Sequence, residues 1–318
     1  MRATPQLTKI LLVLLFTGFI FSPPLAAESI RVGTWKTAQT IQPFFYRQFL
    51  PEEVQVEISS FTNPADQKTA LLAGSLQMTG TTLAHAIYSA VQGQPVVIVA
   101  ALCNKCSALV VGKNSDIHSE KDLKGKTIGY VPGTMHEILL RETLTRNGIS
   151  PETDVKLVRI DFFDMGTALG RGNIDAFLSG EPFPTLAVKK GYGRILSYPY
   201  YDDSVGTINA GMLVTQSMID KNPELVSQLV QAHAKATVYL SNHQSEWLKA
   251  AANFGTPLNI LQSAAPNMEL GWDMNEAFIR QVKTLGQRMQ ALGIIPVQPD
   301  YDKLLNLSFV RQVRSKMP

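Results

Sequence analysis

Cys103 and Cys106, with Asn104 and Lys105 between them, are the only two cysteines in the chain. Two thiols at that spacing can close a local disulfide, hold a soft metal or stay inert. The exported setting argued below favours the disulfide, and a metal would need partners such as His85 or His136. A thioredoxin-like pair is disfavoured, because no helix pattern follows Cys106. Two enzyme motifs fail on inspection. Gly125-Lys126-Thr127 imitates the end of a phosphate-binding loop, but Glu120 stands where the first glycine is required and the lysine precedes a strand. His136-Glu137 begins like a zinc-protease motif, yet its second histidine would fall at Leu140. Two other places carry a subtler chemistry. Gly133-Thr134 follows an apolar run and opens a helix, and Gly80-Thr81-Thr82 does the same. A glycine and a hydroxyl at a helix start offer backbone N–H groups and a partial positive charge, which together attract anions. Glu181 stands at the carboxyl end of another apolar run, where open parallel sheets bind ligands. A carboxylate facing a ligand there favours a zwitterion or a cationic group over a bare oxyanion.

Elements must hold these residues in place. Lys126 to Val131 is short and apolar enough for an inner parallel strand, Pro132-Gly133 breaks it, and Thr134 caps a helix carrying Ile138, Leu139 and Leu144. Ser29 to Gly33 and Val54 to Phe61 read as strands, and Asn63-Pro64 opens a helix through Leu72. Val96 to Leu102 and Ala108 to Val111 read as continuous apolar strands, as does Asn173 to Leu178. From Pro223 onward the pattern is helical, with His233 on an apolar face and Trp247 and Trp272 as packing residues. Strands alternating with helices in two blocks, then a helical tail, predict an α/β fold of two doubly wound lobes.

The first residues set the destination. Arg2 and Lys9 precede an apolar run from Ile10 to Phe21, followed by Pro23-Pro24-Leu25-Ala26-Ala27. That run is too short to span a membrane comfortably and reads as an export signal over residues 1–27, cut after Ala27. The formal net charge is +3 with 29 basic and 26 acidic residues. Removing Arg2 and Lys9 leaves it near neutral, and no basic run is interleaved with aromatics, so nucleic acid is not an expected partner. A soluble, exported monomer is expected, with no cofactor.

Several runs together resemble a known family. Ala70-Leu-Leu-Ala-Gly74, Ala90-Val-Gln-Gly-Gln-Pro-Val97, Lys121-Asp-Leu-Lys-Gly-Lys126 and Ala168-Leu-Gly-Arg-Gly-Asn-Ile-Asp-Ala176 with Glu181-Pro182 keep its order and spacing. They resemble the periplasmic substrate-binding proteins of ABC importers, in the branch that binds nitrate, sulfonates, taurine and thiamine-pyrimidine precursors. The resemblance implies a type II periplasmic-binding-protein fold. Lobe 1 would be residues 28–111 and 212–318, lobe 2 residues 112–211, with crossings near Ala108 to Gly112 and Met212 to Thr215. It implies hinge closure on a small anionic or zwitterionic solute, delivered to an ABC permease in the inner membrane. Helix starts of both lobes would hold the solute, which selects Thr81, Thr82, Gly133 and Thr134. His136 matches a position where sulfonate and taurine binders often carry histidine, and Trp35 lies in the first strand–helix loop, where family ligand contacts fall. No catalytic residue is implied. Gln77 departs from the family's acidic position, and the Cys103/Cys106 pair is not part of its pattern. The alternatives are an enzyme of this fold, as some thiamine-precursor synthases are, and a metal-binding or sensor protein.

Overall fold

The computed structural model describes residues 29–317. The export signal expected over residues 1–27 lies outside them. The chain starts with β1 (Ile30–Trp35), runs through two 3₁₀ turns to β2 (Val56–Phe61), then α1 (Pro64–Leu72), β3 (Met78–Thr82), α2 (Leu83–Val91) and β4 (Val96–Cys103). Next come β5 (Ser107–Gly112), β6 (Thr127–Tyr130), α3 (Met135–Arg146), β7 (Lys156–Arg159), α4 (Phe162–Gly170), β8 (Ala176–Gly180), α5 (Phe183–Lys189) and β9 (Gly193–Ser197). β10 (Ala210–Thr215) precedes the helical tail. The tail is α6 (Gln216–Lys221), α7 (Pro223–Asn242), α8 (Gln244–Ala252), α9 (Leu258–Ala264), α10 (Glu276–Ala291), α11 (Tyr301–Leu304) and α12 (Ser308–Arg314).

Two five-stranded sheets result, ordered β2-β1-β3-β10-β4 and β7-β6-β8-β5-β9. β6 lies between β7 and β8, parallel to both, as its apolar run predicts. β10 runs antiparallel to β3 and β4, and β5 antiparallel to β8 and β9. β4 is buried along its whole length, and β5 everywhere except its last residue.

Of the segments expected near the crossings, Ala108 to Gly112 lie in β5, an inner strand of the second sheet, and Met212 to Thr215 lie in β10 of the first. The chain leaves the first sheet after Cys103, enters the second at Ser107, and returns between Ser197 and Ala210. Two adjoining apolar strands look alike in sequence, whichever sheet each joins. The change of sheet occupies Asn104, Lys105 and Cys106.

Side-chain oxygens start the helices that matter here. Asn63 accepts from Ala65 N at 2.8 Å, Thr82 from His85 N at 3.3 Å and Thr134 from Glu137 N at 3.4 Å. The helical pattern read from Pro223 to Phe254 is broken at His243 into α7 and α8. On α3, the buried Glu142 accepts from Arg146 at 2.7 Å and pairs with Arg288 of α10, tying the second sheet's helix to the tail.

Candidate functional site

Between the carboxyl ends of the parallel strands lies a narrow cleft pocket lined by residues of both sheets. The first sheet's side contributes Trp35, Lys36, Thr37, Gln39, Phe61, Thr62, Thr82 and Cys103. The second contributes His136, Phe162, Phe163, Gly180 and Phe183, and the crossings contribute Cys106 and Asn209. Five of the lining side chains are aromatic: Trp35, Phe61, Phe162, Phe163 and Phe183. Phe162 and Phe183 stack at 6.1 Å between centroids, with Phe163 edge-on to Phe183 at 4.8 Å. Phe163 is 54% exposed at the rim, a large apolar surface with a use only if something covers it. Lys36 is the one charged side chain among the described lining residues.

The polar groups are held firmly. Gln39 Nε2 donates to the Glu181 carbonyl oxygen at 2.8 Å, a bond from one side of the cleft to the other, while its buried Oε1 has no partner. Gln67 takes the amide orientation that satisfies both neighbours. Its oxygen accepts from Trp35 Nε1 at 2.6 Å and its nitrogen donates to Gly80 O at 2.6 Å. The Trp35 indole is thereby fixed by its edge. His136 Nδ1 lies 3.1 Å from Ser107 Oγ and its ring meets Phe162 edge-on at 5.5 Å. Burial lowers the His136 pKa to about 4, so the imidazole is neutral at physiological pH. The arrangement can sandwich a flat, largely apolar body and offer it uncharged hydrogen-bonding partners.

The NMT1/THI5-like family description matches residues 48–247, more than half of the chain. The protein belongs to the NMT1/THI5-like family. Among solved structures, the alkanesulfonate-binding protein SsuA of Xanthomonas axonopodis pv. citri, bound to MOPS, superposes with a TM-score of 0.77 at 18% identity, covering 87% of this chain and 98% of that one. The periplasmic nitrate-binding protein NrtA of Synechocystis PCC 6803 gives 0.74 at 16% identity, over 91% and 89%. Both likenesses place the chain in the periplasmic-binding-protein fold, with its helical tail. A 4-amino-5-hydroxymethyl-2-methylpyrimidine phosphate synthase of Saccharomyces cerevisiae is 26% identical over 243 residues, 71% of this chain and 70% of that one.

In this NMT1/THI5-like protein the expected site residues divide. Trp35, Thr82, His136, Cys103 and Cys106 line the cleft. Thr81 is fully buried in β3, paired with Gly211 of β10. Gly133 and Thr134 are not among the lining residues, because the second helix start is filled from within. Gly133 N donates to Glu137 Oε2 at 2.7 Å, and Thr134 Oγ1 donates to Val131 O at 2.7 Å. Glu137 is itself held by Arg141 at 2.9 Å. His85, from the start of α2, lies over Gly133, so one helix start packs on the other.

Glu181 is also absent from the lining residues. Its carboxylate accepts from Thr185 N at 3.2 Å, and burial pushes its pKa up to about 6. Cys103 and Cys106 are both free, buried thiols in this structure. Among the described residues no cluster of three or more His, Cys, Asp or Glu is placed to hold a metal ion. Sequence reasoning missed Gln39, Asn209 and the phenylalanines. Phe162 at the start of a helix after a strand was the available signal for the aromatic wall.

The Gly133 geometry makes a prediction. Its φ is +74°, and a Cβ there would sit 2.5 Å from His85 Nε2. Gly133→Ala should cost about 1–3 kcal/mol, read as a lower urea midpoint. Adding His85→Ala should recover part of the loss. If Gly133→Ala is neutral, His85 does not pack as described.

Proposed function

We propose that this protein is the solute-binding component of an ABC importer, capturing a small organic compound by closure of two lobes. One observation carries the reading: a single aromatic pocket is built from both sheets and bridged by the Gln39–Glu181 hydrogen bond. Ligand contacts on both sides of a hinged cleft shift an open–closed equilibrium and require no covalent chemistry. The membrane partner is a permease, and the working place is the periplasm. Among the described residues no helix is long and apolar enough to cross a membrane.

The wall refines the solute. A bare oxyanion gains little from five aromatic rings and one lysine, and the second helix start already holds Glu137. A flat ring or an apolar body bearing one polar or singly charged group fits better. Such a ligand stacks on Trp35 and the phenylalanines, and hydrogen-bonds to Gln39, Asn209 or Thr82.

The experiment is a thermal-shift screen of ligand-free protein, followed by calorimetry and solution scattering. The panel holds alkanesulfonates, taurine, nitrate and 4-amino-5-hydroxymethyl-2-methylpyrimidine. A ligand at a hundred times its dissociation constant adds about 2.7 kcal/mol to stability. Trp35→Ala should then weaken the hit by about tenfold or more. No hit, together with a scattering profile unchanged by every compound, would sink the proposal. A second reading, a synthase, draws on His136 and the two thiols beside the pocket. Conversion of a bound pyrimidine to a product would favour it over capture.

A further inference from the structure

Cys103 is the last residue of β4 in the first sheet, and Cys106 directly precedes β5 in the second. The pair therefore straddles one of the two connections between the sheets. Both side chains line the cleft pocket. The other connection reaches the same point. Asn209 Nδ2 donates to Cys106 Sγ at 3.3 Å. Tyr200 Oη accepts from Cys106 N and Ser107 N at 2.9 and 2.8 Å, and donates to Asn267 Oδ1 at 2.7 Å. Asn267 in turn donates to Ser107 O at 3.2 Å. The function proposed above makes no use of these thiols.

We propose that Cys103 and Cys106 form a thiol–disulfide exchange site whose oxidation fixes the connection between the two sheets. The co-reactant is a small-molecule disulfide that reaches the sulfurs through the cleft. The Cys103 thiolate attacks one sulfur of that disulfide, forming a mixed disulfide and releasing one thiol. Cys106 loses its proton and attacks Cys103 Sγ, forming the internal bond and releasing the second thiol. The protein loses two electrons and two protons, and the co-reactant is reduced to two thiols. Hydrogen bonding to Cys103, burial and the Glu181 charge hold the Cys106 proton, and the exchange starts at Cys103. A bridge spanning only two residues removes little chain entropy from the unfolded state. It is a poor structural staple and a suitable reversible bond.

The test incubates the native protein with oxidised glutathione, then denatures it in acid and alkylates it. The expected result is loss of both alkylation sites, with a mass lower by two hydrogens, reversed by dithiothreitol. Cys106→Ser should instead accumulate the glutathione adduct on Cys103. Amide exchange at residues 104–107 should slow by about tenfold in the oxidised protein. Two alkylatable thiols after oxidation, or glutathione on each cysteine without an internal bond, overturns the exchange site. Unchanged amide exchange in fully bridged protein overturns the fixing of the connection. None of these readouts depends on the transported solute.

Discussion

Lowering the pH from 7 to 4 should cost this protein most of its folding stability. His85, His136 and His233 are buried, and each has its pKa lowered from 6.5 to about 4, chiefly by desolvation. Lys68 adds repulsion at His85, while the carbonyls of Ala101 and Gly271 partly oppose the effect at His233. An unfolded histidine takes its proton near pH 6.5, and these folded ones only near pH 4. Between those values the unfolded chain binds more protons, so stability falls as pH falls. The loss approaches about 3 kcal/mol per histidine at the lower end. Glu181 acts in the opposite sense. Its pKa rises from 4.5 to about 6, so the folded state takes the proton first. Stability gained between pH 6 and 4.5 from that group is about 2 kcal/mol. Three groups outweigh one, and the net loss is comparable with the whole stability of a typical domain. Urea unfolding at pH 7, 5.5 and 4 should show midpoints falling steeply. Equal midpoints at pH 7 and 4 would mean that the three imidazoles are not buried and neutral.

His233→Leu should destabilise the fold by about 3–5 kcal/mol. The ring sits in the first sheet's core with both nitrogens engaged. Its Nε2 lies 2.7 Å from Ala101 O and 3.0 Å from Gly271 O, and Nδ1 lies 2.9 Å from Tyr46 Oη. Two carbonyls at one nitrogen require the proton on Nε2, so Tyr46 donates to Nδ1. Leucine would leave two carbonyls and one phenol in the core short of a partner. Tyr46→Phe in the same chain removes the stranded phenol, and should recover about 1 kcal/mol of the loss. Gly271 N also donates to Leu102 O at 2.9 Å, beside Cys103. His233 thus braces the end of β4, where the chain changes sheet. Denaturant unfolding of the single and double variants measures both terms, and a single variant within 1 kcal/mol of the parent would remove His233 from this role.

His233 illustrates what a sequence can carry. An apolar helical face was legible around it, but its partners lie 38, 132 and 187 residues away. Local patterns were read well: β6 as an inner strand, Asn63, Thr82 and Thr134 as caps, and the helical tail. Of the caps expected to meet a ligand, Thr82 lines the cleft and Thr134 does not. A helix start looks alike in sequence whether its N–H groups await a ligand or are already taken by a residue one turn on. The aromatic wall was hidden for a related reason. Phe61, Phe162 and Phe183 have the residue type of core positions, and only the meeting of two sheets leaves their rings facing a cleft. Trp35 and His136, named through the family resemblance, both line the cleft, and nothing in their immediate neighbours marks them.

The carboxylate of Glu137 at the start of α3 bears on selectivity. It is tethered one helical turn from the Gly133 amide, so it competes there as an intramolecular ligand, with an effective concentration that for short flexible tethers is about millimolar. Chloride, phosphate and sulfate must compete with an anion that cannot diffuse away and that Arg141 already neutralises. The protein thus carries its own competitor for inorganic anions at the start of α3.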